Sequence, residues 1–233
     1  MRLLCLFLVA IVAGFLAGCG SDDEGEAGGA ATTAAETTAA ETTAAETTVD
    51  GECHEVEAPD PKPDGGQQAP TKDLDPAKTY QLIVETNCGK FTIELDQKSA
   101  PKTAASLVSL AESGFYDGTT FHRVVPGFVI QGGDPTGTGG GGPGYKTVDV
   151  PPADVAYTRG VVAMAKAQAE ALGTSGSQFF VVTAPDAGLP PEYAVVGKVI
   201  EGMVTVDAIE ALGAGDGPPS MPVVMERVTV QES

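Results

Sequence analysis

The sequence predicts a mainly β domain, a closed antiparallel barrel plugged at its ends by two α-helices. Three observations carry that prediction. Short alternating runs of apolar and polar residues recur from Tyr80 to the C-terminus, each ended by glycine, proline, asparagine or aspartate. Only two stretches show helical spacing, and they lie far apart. Strands are therefore not regularly interleaved with helices, as a parallel sheet with crossover helices would require.

The domain opens with Tyr80–Thr86 and Lys90–Asp96, two alternating runs joined by Asn87-Cys88-Gly89, which read as a β-hairpin. Pro101–Ser113 follows as a helix. Proline suits its first turn, Ala104, Leu107, Val108 and Ala111 form one face, and Gly114 stops it. The next stretch, Phe121 to Asp134, is the most informative in the chain. It places one cation, Arg123, eight residues before an uncharged amide, Gln131, with an apolar run between them. In an unbroken strand Arg123, Val125, Gly127, Val129 and Gln131 would share a face. Pro126-Gly127 interrupts the run, and a bend there would bring Phe128 to the same side. Such a stretch can form an apolar pocket with a guanidinium at one end and an amide at the other; it can equally be a buried strand whose arginine caps a sheet edge.

Gly137 to Gly142 formally matches a dinucleotide-binding fingerprint, but no helix follows and no phosphate-binding Lys-Ser/Thr is present, so it reads as a surface loop. Gly160–Ala165, Gln178–Val182 and Tyr193–Ile200 read as strands. Val204, Ala208, Ala211 and Leu212 fit a second helix, and Val223–Gln231 a closing strand. Gly173 to Ser177 narrowly misses a nucleophile elbow, because its last position is serine. His122 is the only histidine of the domain and reads as a packed or hydrogen-bonded ring rather than a member of a hydrolase triad.

The first third of the chain differs from the rest. Leu3 to Leu16 is apolar or glycine, and at fourteen residues it fits a signal-peptide core and is short for a membrane span. It ends in Leu16-Ala17-Gly18-Cys19, which resembles the lipobox of bacterial lipoproteins, in which a peptidase cuts before a lipidated cysteine. Residues 1–18 are thus expected as a signal peptide. Residues 19–70 are expected as a lipidated Cys19 and a disordered, acidic tether, and residues 71–233 as the folded domain. Ala-Ala-Glu-Thr-Thr occurs three times between Ala34 and Thr48, with almost no large apolar residue to offset the entropy of ordering. Treated as a flexible chain, the tether would reach about 40 Å. After loss of Cys5 and lipidation of Cys19, Cys53 and Cys88 remain. An even pair outside the cytoplasm suggests a disulfide, with free thiols or a metal site with His54 as alternatives, the latter short of ligands. The net charge of −19 offers no basic stripe for nucleic acid, and it confines membrane association to a covalent or hydrophobic anchor.

The Phe121–Asp134 stretch, together with Gly176-Ser177-Gln178-Phe179-Phe180, resembles the signature of the cyclophilin family of peptidyl-prolyl cis/trans isomerases, and the likeness runs from about Tyr80 to the C-terminus. The resemblance implies an eight-stranded closed barrel with two capping helices, and a glycine-rich loop where Gly137–Gly142 stands. It implies that Arg123 is the catalytic cation and that Phe128, Val129, Phe180 and Leu189 form a proline pocket. Gln131 and Gln178 would contact the peptide, and Met164-Ala165-Lys166 would form a strand beside it. Lys166 stands where many members have asparagine, and Tyr193 where histidine is common. Gly188 falls where some members carry a tryptophan that helps bind cyclosporin; that departure weakens the expectation of cyclosporin binding and leaves the arginine chemistry untouched. The implied partners are proline-containing polypeptides and, through Cys19, a membrane. The expected protein is a monomer outside the cytoplasm, with no metal and no cofactor.

Overall fold

The computed structural model describes residues 50–233; the segments expected as signal peptide, lipidated Cys19 and tether up to residue 49 lie outside the described residues. The expected hairpin is β1 (Tyr80–Thr86) and β2 (Gly89–Leu95), followed by α1 (Pro101–Glu112). Then come β3 (Thr119–Thr120), β4 (Arg123–Val125), β5 (Val129–Gly132), β6 (Thr147–Val148), β7 (Val161–Met164), β8 (Thr174–Ser175) and β9 (Phe179–Val182). The chain ends with β10 (Val195–Glu201), α2 (Met203–Ala211) and β11 (Val224–Glu232).

Nine strands form one curled antiparallel sheet in the order β3-β11-β1-β2-β10-β7-β9-β5-β4, and β6 pairs with β8 separately. The sheet is therefore a mainly β, two-helix architecture, but it is not the closed eight-stranded barrel expected from the sequence. Its end strands β3 and β4 are not paired with each other; a single bridge, Thr120 to Asp134, approaches closure. The physical cause is local. The end strands are two and three residues long, Pro126 ends β4, and the Phe121 and Val124 amides donate to the Val223 and Gly217 carbonyls at 2.9 and 2.8 Å instead of to each other's strand.

The main core fills the concave side of the sheet, with Leu82, Val84, Phe91, Ile93, Leu107, Phe121, Ile130 and Met225 all nearly inaccessible to solvent. α1 buries the predicted face at Ala104, Leu107, Val108 and Ala111. α2 differs from the expectation. Val204 is exposed, and Thr205, Val206 and Ile209 are the residues it buries. The rotation follows from the helix entry. Gly202 adopts a left-handed φ of 78°, and a Cβ there would stand 2.3 Å from the Lys90 carbonyl oxygen, so β10 and α2 meet β2 at contact distance. Thr205 then donates its hydroxyl to that same carbonyl at 3.0 Å.

Residues 50–67, expected as part of the tether, are instead laid along the domain as an extended strap. Cys53 and Cys88 are bonded to each other, and the Gly51 and His54 amides donate to the Cys88 and Asn87 carbonyls, each at 3.0 Å. The Asn87 side chain is fully buried at this junction. Its Nδ2 donates to the carbonyls of His54 at 2.7 Å and Pro222 at 3.1 Å, and its Oδ1 accepts from the Val224 amide at 2.9 Å. One amide thus joins the strap, the β1–β2 turn and the start of β11. Replacing it by alanine leaves three backbone groups unpaired in the interior. Asn87→Ala is expected to lower stability by about 3 kcal/mol, read as a reduced urea midpoint at unchanged slope.

Candidate active site

The chemistry-bearing residues converge because of strand register. β4 and β5 form a hairpin closed by Pro126-Gly127-Phe128, with Arg123 opposite Gln131 and Val125 opposite Val129. Across the next ladder Gln131 faces Phe180, and across the one after that Phe180 faces Ala163. Arg123, Gln131, Phe180 and Ala163 therefore lie in one row running over four strands, with their side chains on one face. Above the row opens a cleft of about 240 Å³ lined by Arg123, Phe128, Val129, Gln131, Ala165, Lys166, Phe180, Leu189 and Tyr193. A second hollow of about 320 Å³ adjoins it, sharing Gln131, Ala165 and Lys166, and is walled by Gln178 and the glycine-rich loop. A larger hollow, about 520 Å³, lies elsewhere, against β2 and β10, and holds none of these groups.

The cleft floor is apolar and rigid. Phe180 and Tyr193 meet edge to face with centroids 5.7 Å apart, and Tyr157 packs against both from behind. The Tyr157 hydroxyl donates to the Tyr193 carbonyl at 2.7 Å and accepts from the Tyr193 amide at 3.0 Å, which pins the wall of the cleft. Burial pushes this phenol's pKa up, so it remains a donor across the physiological range.

Arg123 is held on three sides. Its Nε and Nη2 donate to Asp216 at 2.6 and 3.2 Å, and its Nη1 donates to Gln131 Oε1 at 3.3 Å. The guanidinium carbon stands 5.9 Å from the Phe128 ring centroid. Of the five guanidinium N–H donors three are engaged and the others remain open at the lip of the cleft. The hydrogen bond and charge of Arg123 hold the Asp216 carboxyl below its ordinary pKa. Asp216 is exposed, so this ion pair orients the cation more than it stabilises the fold. Sequence reasoning did not single out Asp216, which is 93 residues from its partner. Its one signal is a lone charge in Gly213-Ala214-Gly215-Asp216-Gly217.

One expectation is corrected. Met164 does not reach the cleft: it is 0% exposed and packs in the main core. Alternation along β7 sends Ala163 and Ala165 toward the cleft and Met164 inward. Lys166 lines both hollows, yet its side chain is only 2% exposed. Its ammonium lies 2.9 Å from Glu192 Oε2 and 3.3 Å from the Glu170 carbonyl, and 5.5 Å from the Tyr193 ring centroid. It braces the wall instead of offering a free cation to a ligand. His122 is a packed ring whose two nitrogens are buried without partners, and burial lowers its pKa, so it stays neutral.

The glycine-rich loop is built around one carboxylate. Asp134 accepts from the Thr136 amide at 2.8 Å, the Thr136 hydroxyl at 2.9 Å, and the Gly139 and Gly141 amides at 2.5 and 3.2 Å. Burial alone would raise its pKa, but these donors outweigh burial and hold it below the ordinary 3.8. A carboxyl lowered in this way contributes stability that is present above its unfolded pKa and lost as pH falls through the folded one. Acid titration of the wild-type protein is expected to show a stability loss below about pH 4. That portion of the loss should be missing from Asp134→Asn, and equal slopes for the two proteins would contradict the assignment.

Comparisons with known proteins follow the same region. The family model described as "Cyclophilin type peptidyl-prolyl cis-trans isomerase/CLD" matches residues 81–230. The Mycobacterium tuberculosis protein named peptidyl-prolyl cis-trans isomerase A is 40% identical over 174 residues, covering 66% of this chain and 94% of the relative. A Cryptococcus neoformans peptidyl-prolyl cis-trans isomerase-like 2 is 41% identical over 171 residues, covering 69% of this chain, which spans only 29% of that longer relative. The crystal structure of a Cryptosporidium parvum cyclophilin-type isomerase superposes with a TM-score of 0.60 at 33% identity, over 66% of this chain and 98% of that one. A second crystal structure of that C. parvum protein was obtained in the presence of the dipeptide Ala-Pro.

Proposed function

The chain belongs to the cyclophilin-type peptidyl-prolyl cis–trans isomerase family, and we propose that its cleft catalyses X–Pro isomerisation with Arg123 as the catalytic cation. The observation that carries the reading is the single row of Arg123, Gln131 and Phe180 on the floor of one open cleft.

Rotation about an X–Pro bond is slow because it breaks amide resonance, a barrier of about 18–20 kcal/mol. No proton is transferred and no covalent bond is broken, so a catalyst needs only to bind the twisted amide better than either planar form. In the twisted state the prolyl nitrogen becomes pyramidal and gains a lone pair. A cation that never loses its charge, with N–H donors open toward the cleft, interacts selectively with that state. Phe128, Val129, Phe180, Leu189 and Tyr193 enclose a space suited to a pyrrolidine ring. Gln131 and Gln178 offer amide groups to the flanking peptide, while the Asp216 pair keeps the guanidinium from swinging out.

We further propose that the enzyme works outside the cytoplasm on exported polypeptides, as a monomer anchored through lipid on Cys19. The Leu16-Ala17-Gly18-Cys19 motif supports this, and a bonded Cys53–Cys88 pair fits an oxidising compartment. Cys19→Ser should abolish incorporation of labelled fatty acid and move the protein from the membrane to the soluble fraction.

A charge-assisted hydrogen bond contributes about 1.5–3 kcal/mol, so Arg123→Ala is expected to lower kcat/KM by about ten- to a hundred-fold. NMR exchange on a proline-containing peptide measures this, and a variant as fast as wild type would remove the arginine from the mechanism. Since arginine stays charged and the Asp216 carboxyl is held below its usual range, kcat/KM should be flat between about pH 6 and pH 9. A bell-shaped profile would instead point to general acid–base chemistry.

A further inference from the structure

The extended strap, residues 50–67, is tied to the domain at three places. The Cys53–Cys88 bond holds its first end. In the middle, the Lys62 ammonium donates to the carbonyls of Gly114, Phe115 and Asp117 at 3.2, 2.8 and 2.7 Å, filling the turn that follows α1. The Lys62 amide donates to the Pro135 carbonyl at 2.8 Å, beside Asp134. At its last end the strap grips the glycine-rich loop. Asp64 Oδ1 accepts from the Gly142 amide at 2.8 Å, the Gly65 amide donates to the Gly142 carbonyl at 2.9 Å, and the Gln67 amide donates to the Pro143 carbonyl at 3.0 Å. The approach is close enough that a Cβ on Gly144 would stand 3.0 Å from the Gly65 Cα.

That loop leads directly to the cleft. The carbonyls of Gly139 and Gly141 accept from Gln178 Nε2 at 3.0 and 2.9 Å. Gln178 Oε1 accepts from Gln131 Nε2 at 3.1 Å, and Gln131 Oε1 accepts from Arg123 Nη1 at 3.3 Å. The polarity of this relay is fixed at both ends. A guanidinium can only donate, so Gln131 must present its oxygen to Arg123 and its nitrogen to Gln178. Gln178 must then present oxygen to Gln131 and nitrogen to the loop, where two backbone carbonyls are waiting. Each member has one orientation that satisfies its neighbours, and the strap holds the segment that ends the relay.

We propose that the strap is a positioning device for the active site, with Asp64 its positioning residue. By fixing Gly142 it holds the Gly139 and Gly141 carbonyls, and through them the amide orientations of Gln178 and Gln131 beside Arg123. Asp64 touches no substrate; it acts through the loop. The effect on turnover rests on the isomerase reading above, whereas the relay itself does not.

Two measurements on the full-length protein separate these. Asp64 is exposed, so Asp64→Ala removes the acceptor for Gly142 without opening the core. It is expected to lower kcat/KM by about three- to ten-fold, the worth of one solvent-exposed hydrogen bond. The loss should fall mainly on KM, because Gln131 and Gln178 hold the flanking peptide. Asp64→Asn, which keeps an oxygen acceptor, should restore the wild-type value. In parallel, the side-chain amide resonances of Gln131 and Gln178 should shift in Asp64→Ala and return in Asp64→Asn. If Arg123→Ala is slow while Asp64→Ala matches wild type with unshifted amide resonances, the strap inference fails and the isomerase reading stands. If Arg123→Ala is as fast as wild type, the isomerase reading fails, and the amide shifts alone decide whether the strap orients the relay. Shifted resonances with unchanged kcat/KM would overturn the claim that the relay matters to turnover.

Discussion

One file of residues across four strands supports everything the cleft can do. Arg123, Gln131, Phe180 and Ala163 sit opposite one another in successive antiparallel ladders, so their side chains rise on the same face at strand spacing. A slip of one residue in any of these ladders would turn its contribution into the core. The register is guarded by burial on the other face, where Val124, Ile130, Val181 and Val162 are packed at 0–1% exposure. The hydrophobic core thus decides which way the cation and the amide point, and the cleft inherits its order from the interior.

Around this file the protein satisfies polar groups instead of relying on area alone. Asp134 gathers four donors to fold a loop that is mostly glycine and has little apolar content of its own. Asn87 does the corresponding task where the strap, the first hairpin and β11 meet. Lys62 places one ammonium over three carbonyls left by the turn after α1. In each case a single side chain orders a segment with few contacts of its own, because leaving buried backbone groups unpaired would cost more than the bonds gain.

The electrostatics of the cleft follow the same economy. Two lysines and one arginine lie near it, but Lys166 is bound to Glu192 and Lys146 to Glu170. Arg123 keeps donors open because Asp216 approaches from outside the cleft and Gln131 from within it. An acidic chain can therefore present a localised positive group to a neutral peptide without attracting anions generally.

Much of this was legible in the residues. Short apolar and alternating runs marked seven strand segments, counting the Phe121–Asp134 stretch as one, and helical spacing marked both helices. That Arg123 and Gln131 share a face and that Pro126-Gly127 interrupts the run could be read locally, because strand period and turn chemistry are properties of a few adjacent residues; that the interruption is a full reversal, setting Arg123 opposite Gln131 on two strands, could not. What the sequence could not determine involves segments far apart in the chain. The register that brings Phe180 beside Gln131, the docking of residues 50–67, the arrival of Asp216 at Arg123 and the open edge between β3 and β4 all belong to this group. So do the inward turn of Met164 and the rotated face of α2. These depend on which buried surfaces and polar groups meet once the whole chain has closed on its core, and periodicity within one segment carries no record of that choice.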